Sequence, residues 1–205
     1  DTGTARLLLE GHIPFDVLDT EMDFERYRVL ILPDEIAVTP ALKRKVDAFL
    51  AGGGKLVLCG VSGISADGKR YLFDVGAALE GPSPFCPDYI LPKAPFAPDF
   101  VKSPLVMYLA SQRIKATTGE ALGDVYDPWF NRRFDHFCSH QHTPCTGEPS
   151  GYHCAVRKGN ILAFAHPVFG LYHASGSVAV KEYVLKALRA FIGDAALVET
   201  SMPST

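Results

Sequence analysis

The hydrophobic positions of this chain change period along its length, and each change marks an element. "YRVLILP", Tyr27 to Pro33, is a continuous apolar run, the pattern of a strand buried on both faces. In "VTPALKRKVDAFLAGGG" the period becomes helical. Leu42, Val46, Phe49 and Leu50 share one face, Thr39 is a good N-cap, and Pro40 suits a first turn that does not need its N–H. Gly52 to Gly54 end the helix, and "KLVLCG" is a second buried strand. Strand, helix and strand with short joints form a βαβ unit, which crosses over right-handed into a parallel sheet. The pattern therefore predicts an α/β fold.

Upstream, "DTGTARLLLEG" predicts a short helix through Leu7, Leu8 and Leu9 that stops at Gly11, and "PFDVLD" then reads as a strand. The helix has no strand before it, so the chain is expected to be a piece of a longer protein. Downstream, "YHCAVRKGNILAFAHPVF" reads as a hairpin turning at Lys158-Gly159-Asn160. "SVAVKEYVLKALRAFIG" is a closing helix with Val180, Val184, Leu188 and Phe191 on one face. Between Gly81 and Pro104 stand seven of the fifteen prolines. Proline removes a donor and fixes φ, so this stretch is expected to be neither helix nor central strand. It reads as an ordered excursion whose aromatics, Phe85, Tyr89, Phe96 and Phe100, are buried. "PLVMYLAS", "RIKAT" and "EALGDVYDP" then look like strands. The expected organisation is a single domain over residues 1–205, with an irregular insertion at about 81–152.

Composition narrows the function classes. Hydrophobic residues make up 47% and charged ones 21%, ordinary for a globular protein, and a net charge of -3 gives no electrostatic case for nucleic acid or an anionic membrane. The apolar runs are too short to span a bilayer. Five cysteines without a CxxC pair suit reduced thiols in a cytoplasmic protein, although Cys138, Cys145 and Cys154 are close enough in sequence for one disulfide in an exported one. No cofactor is expected.

"RFDHFCSHQHTPC", Arg133 to Cys145, concentrates chemistry-bearing side chains. His136, His140 and His142, with Cys138 or Cys145, have the donor types that zinc prefers, but the spacing matches no standard finger. On an extended segment same-side neighbours lie roughly 7 Å apart and would need a bend to converge. A second reading is a polar loop whose histidines bond to backbone. A third is a loop reaching a carbohydrate site or a protein interface. "YDPWFNRRFDHF" places Trp129 and Phe130 beside Arg132 and Arg133, and such residues serve both sugar stacking and interface hot spots.

"FDVLDTEMDFERYRVLILPDEIAVTPALKRKVDAFLAGGGKLVLCGVSG" resembles the trimerisation domain of family 42 β-galactosidases and of related α-L-fucosidases. "NRRFDHFCSHQHTP" and "GNILAFAHPVFGLYHASG" resemble the tail of the fucosidase-like branch. The resemblance implies a flavodoxin-like, class I glutamine amidotransferase-like domain: a parallel sheet with helices on both faces, here with the proline-rich excursion and an added β region. It also implies a catalytic (β/α)8 barrel elsewhere in the parent protein, a homo-oligomer that is a trimer in the parent, and carbohydrate as a candidate partner.

That ancestry raises a catalytic alternative. Amidotransferases place a cysteine on a sharp strand-to-helix turn and a His-Pro-Glu on a later strand. Here Cys59 stands at a strand end, one residue short of the nucleophile position, and His166-Pro167 is followed by Val168 instead of the orienting glutamate. The expectation is that His166 lacks the partner that would set its tautomer. The alternative to catalysis is a small buried thiol and a hydrogen-bonded histidine. No pair of carboxylates stands out for glycoside hydrolysis, so the acid and nucleophile are expected in the barrel.

Overall fold

Residues 2–193 are described by the computed structural model. Helix α1 (Thr2–Glu10) closes where the Gly11 N–H donates to Leu7 O at 2.9 Å. After an irregular stretch come β1 (Val29–Leu32), α2 (Pro40–Ala51) and β2 (Lys55–Cys59), the expected βαβ unit. Thr39 caps α2, its Oγ1 accepting from Leu42 N at 3.1 Å. The excursion adds β3 (Ala77–Pro82), β4 (Asp88–Pro92), β5 (Leu105–Met107), β6 (Gln112–Ala116), β7 (Glu120–Ala121) and β8 (Gly123–Tyr126). The chain then returns through β9 (Ala155–Lys158), β10 (Ile161–Phe164), α3 (Val168–Ser175) and α4 (Val178–Ile192).

The main sheet has the order β1-β2-β10-β9-β7. Its first three strands are parallel, whereas β9 and β7 pair antiparallel, so the expected parallel sheet is a mixed one. The hairpin register sets Ile161 opposite Lys158, leaving Gly159 and Asn160 as its turn, and Gly159 takes φ 51° there. Alternate residues of β2 and β10 feed two cores. Val57, Cys59, Leu162 and Phe164 meet α1, α3 and α4, while Leu56, Leu58, Ile161 and Ala163 meet α2. The result is an open mixed sheet with helices on both faces, the flavodoxin-like and amidotransferase-like architecture. No helix among the described residues is long and apolar enough to cross a membrane.

Four expectations need correction. "PFDVLD" forms no ladder: strand structure begins only at Val29, although Ile13 and Phe15 still pack against the α1-side core and Leu18 against the other. The proline-rich stretch does contain a central strand, since β4 lies between β5 and β8. This is permitted because Pro87 precedes β4 and Pro92 ends it, leaving the residues between free to pair. Of the four aromatics expected to be buried there, Phe100 is exposed. Finally, the hairpin stretch runs on into the unexpected helix α3, which Gly176 closes at φ 61° by donating its N–H to Tyr172 O at 2.8 Å.

The helices of the α1 face are tied together at Glu10. Its carboxylate accepts from the Tyr172 hydroxyl of α3, from Arg6 at 2.8 Å and from Lys181 of α4 at 3.0 Å. Beneath this network α1 and α3 touch closely, for a Cβ on Gly3 would stand 2.2 Å from Phe169 O. The Tyr172 hydroxyl foremost, then Arg6 and Lys181, hold the Glu10 carboxyl down at about 2. A folded-state value below the unfolded one contributes stability that is complete above the unfolded value and is lost as pH falls. Acid denaturation is therefore expected to erode stability as pH falls from 4.5 toward 2. Glu10→Gln is expected to flatten that slope by up to about 1 kcal/mol after allowance for solvent screening, checked by urea titrations at pH 7, 4 and 2.5.

Candidate functional site

Cys59 ends β2, and Gly60 follows at φ 57°, its N–H shared between Phe164 O and His166 O at 3.2 and 3.1 Å. The chain turns here, Ser62 N–H donating to Cys59 O at 3.0 Å, but the Cys59 thiol is buried. Burial above all, and then the charge of Asp34, push its pKa well up, which favours the thiol over the thiolate. No hydrogen bond joins Cys59 to the His166 ring among those of the described residues.

His166, however, is not without a carboxylate partner, and the expectation drawn from Val168 is corrected. His166 Nε2 lies 2.6 Å from Asp88 Oδ1, and Asp88 Oδ2 accepts from Ser111 Oγ at 2.6 Å. Asp88 comes from β4, 78 residues away, so nothing next to His166 in the sequence reveals it. All three side chains are buried. The serine meets the carboxylate instead of the imidazole, which is not the order of a serine-histidine-aspartate nucleophile. The chain of contacts joins the three-stranded sheet β5-β4-β8 to the end of β10.

The loop from Trp129 to Pro144 is pinched at its base. Pro128 bridges to Cys145, Trp129 N–H donates to Pro144 O at 3.1 Å, and Thr146 N–H donates to Asp127 O at 2.7 Å. Asp127 also receives Arg113 Nη2 at 2.5 Å, and this buried guanidinium lies over the Tyr152 ring. Sequence reasoning passed over Arg113, since only the fold brings β6 to Asp127. Farther out, Arg133 and His136 exchange backbone hydrogen bonds, so Phe134 and Asp135 form a tip. Phe130 stacks on His136 at 4.0 Å between centroids, Arg132 Nη1 donates to Gln141 O at 2.8 Å, and Cys138 Sγ contacts the carbonyls of His140 and His142. Asn131 joins the loop to the proline-rich stretch by donating to Pro84 O at 2.6 Å.

The three histidines have different surroundings. His136 is exposed under Phe130, His140 is exposed, and His142 lies half-buried edge-on to Tyr108 with a buried Nδ1 that has no hydrogen-bond partner among the described residues. Among the described residues no three His, Cys, Asp or Glu side chains converge as a metal site, and Cys145 stands apart at the loop base. All five thiols are free. What the loop does present is apolar rings: Trp129 is 69% exposed, Phe137 63% and Phe134 fully.

A shallow cleft of about 590 Å³ opens at the carboxyl ends of the parallel strands, lined by Pro33, Asp34, Ile36, Leu109 and Pro167 among others. This is where open α/β sheets bind ligands. Here Asp34 serves the protein itself, for its Oδ2 accepts from Gly170 N in the first turn of α3 at 2.5 Å.

Fold and loop together define an amidotransferase-like α/β module. Residues 6–77 match the model of the β-galactosidase trimerisation domain. β-Galactosidase GalA of Bacillus licheniformis is 41% identical over 59 residues, 29% of this chain and 9% of that enzyme. α-L-Fucosidase isoenzyme 2 of Paenibacillus thiaminolyticus superposes with a TM-score of 0.94 at 40% identity, over 98% of this chain and 30% of that one. A β-galactosidase of Bacillus circulans shares the fold alone, with a TM-score of 0.59 at 17% identity over 94% of this chain and 26% of that one. The chain thus has the trimerisation-domain fold found in β-galactosidases and in this fucosidase, and it spans less than a third of the fucosidase's length.

Removing the Asp88 carboxylate strands a buried imidazole and a buried hydroxyl. Asp88→Ala is expected to lower stability by about 3 kcal/mol, and Asp88→Asn by less because it keeps the shape and one acceptor. Urea unfolding of the two variants checks both the size and the order.

Proposed function

We propose that the chain is the non-catalytic oligomerisation domain of a longer glycoside hydrolase, of β-galactosidase or α-L-fucosidase type. Residues 1–205 form one domain of it, and its catalytic barrel lies outside this chain. The observation that carries the reading is the loop 129–144: Trp129, Phe134 and Phe137 are exposed although the loop is held in shape by its own hydrogen bonds. An ordered loop that leaves aromatic rings in water suits an interface, where such rings are the usual anchors. The resemblance to the fucosidase over nearly the whole chain supports placing that interface against a barrel, its own or a neighbour's. There Trp129, Phe130, Arg132, Arg133, His136, His140 and His142 would help to complete a sugar site. Five free thiols suit a reducing compartment such as the cytoplasm.

The rival reading, an amidotransferase-like or small-molecule-binding enzyme using Cys59 and His166, gains the Asp88 contact. It suffers from a thiol sealed in the core. Light scattering of the chain over a range of concentrations is expected to give a trimer, while a monomer throughout would move the assembly surface to the barrel. In the full-length hydrolase, replacing Trp129 and His140 by alanine is expected to reduce activity or assembly. Unchanged values of both would remove the loop from the proposal.

A further inference from the structure

Trp129 is the single tryptophan of the chain, and its ring is exposed. An exposed ring on a loop ordinarily changes rotamer freely. Here the backbone on both sides of it is fastened. Two residues before it, the Asp127 carboxylate accepts from Arg113 Nη2 at 2.5 Å, and the Asp127 carbonyl accepts from Thr146 N–H at 2.7 Å. Pro128, between Asp127 and Trp129, is buried. Two residues after it, the Asn131 side chain bonds twice to the proline-rich stretch, donating to Pro84 O at 2.6 Å and accepting from Cys86 N–H at 3.3 Å.

Both fastenings lead to Arg113, which lies buried in β6. Besides Asp127 at the entry to the loop, its guanidinium reaches the segment that leaves the loop. Nη1 donates to Ser150 Oγ at 3.4 Å, and Ser150 Oγ in turn donates to Val125 O at 2.7 Å. The same guanidinium lies over the Tyr152 ring at 4.7 Å and the Phe85 ring at 5.7 Å. Phe85 stands between Pro84 and Cys86, the two residues that hold Asn131. One side chain therefore touches the entry, the exit and the segment that fastens Asn131. An arginine suits these contacts because its planar fork holds separated acceptors and lies flat on rings, whereas a lysine keeps only the charge.

We infer that Arg113, together with Asn131, is a positioning residue that sets the direction of the Trp129 ring from within this chain. Trp129 is then a preformed anchor. A partner that receives it has little of the loop left to order, which spares part of the entropy that binding otherwise costs. The presetting stands on the contacts of this chain. Its consequence for assembly or activity rests on the reading of the loop as an interface.

Time-resolved fluorescence anisotropy tests it, since Trp129 is the single tryptophan of the 205-residue chain. The unsubstituted chain is compared with Arg113→Lys, Asn131→Ala and Val46→Ala at the same oligomeric mass, read by light scattering. Val46 is buried under α2, away from the loop, so its variant loosens the core without touching the mount. In the unsubstituted chain the ring should turn with the whole molecule. Arg113→Lys and Asn131→Ala should each raise the amplitude of the fast component by about twofold or more, and Val46→Ala should not. A freely turning ring in the unsubstituted chain would overturn the proposal. An unchanged decay in both loop variants, or an equal rise in Val46→Ala, would do so too. Asn131 is on the surface, so its variant decides the matter if Arg113→Lys does not fold. In the full-length hydrolase, Arg113→Lys is expected to reproduce the loss of activity or assembly caused by Trp129→Ala. A loosened ring with neither lost would uphold the presetting and remove the interface reading, so the two failures are told apart.

Discussion

Strands β2 and β10 run side by side at the centre of the sheet, and both of their faces are removed from water. A two-faced strand pair cannot be stable unless each face is covered, and most of what surrounds it follows from that requirement. Leu56, Leu58, Ile161 and Ala163 demand the α2 layer, while Val57, Cys59, Leu162 and Phe164 demand α1, α3 and α4. Burying the Leu, Val, Ile and Phe side chains among them contributes roughly 1.5–3 kcal/mol each, so each face requires its cover. The parallel register also collects the carboxyl ends of β1, β2 and β10 at one end of the sheet. Asp34, Cys59 and His166 stand there because of it.

The excursion depends on the same centre through a different kind of contact. Its three-stranded sheet packs into the α1-side core through Ile90, Met107 and Val125. It is joined to the end of β10 by the buried run from Ser111 through Asp88 to His166, and the aromatic loop leaves it after β8. A histidine after the last parallel strand thus acts as an attachment point. The amidotransferase-like turn at Gly60 remains, while the neighbouring cysteine is enclosed by apolar packing.

The βαβ unit was legible because its signals are local: an unbroken apolar run, a capped helix with one apolar face, and a glycine stop. The closing helix and the hairpin at Gly159 were legible for the same reason. Helix α3 was not, because it has only eight residues and Gly170 interrupts its propensity. The strand β4 was hidden by prolines that turn out to stand just before it and at its last position. "PFDVLD" carried a strand's composition, but composition does not supply a neighbour to bond with. At the candidate site, sequence found the aromatic and histidine-rich loop, and it missed both Asp88 and Arg113. Their roles depend on contacts across 78 residues in one case and on a bond to a loop base in the other.

One junction governs how that loop is presented. The continuous stretch from Glu120 to Tyr126 pairs first with β9 in the main sheet and then, past the buried Leu122, with β4 in the small one. A single run of backbone therefore belongs to two sheets, with no spacer in which a hinge could sit. At the changeover, Leu122 N–H donates to Ala155 O of β9 at 2.9 Å and Gly123 O accepts from Cys154 N–H at 3.0 Å, so the two sheets are in contact where they meet. The small sheet is a bracket built onto the frame of the large one. Changes in the sequence of the loop can alter what its rings touch, but the direction in which they reach is set by the core.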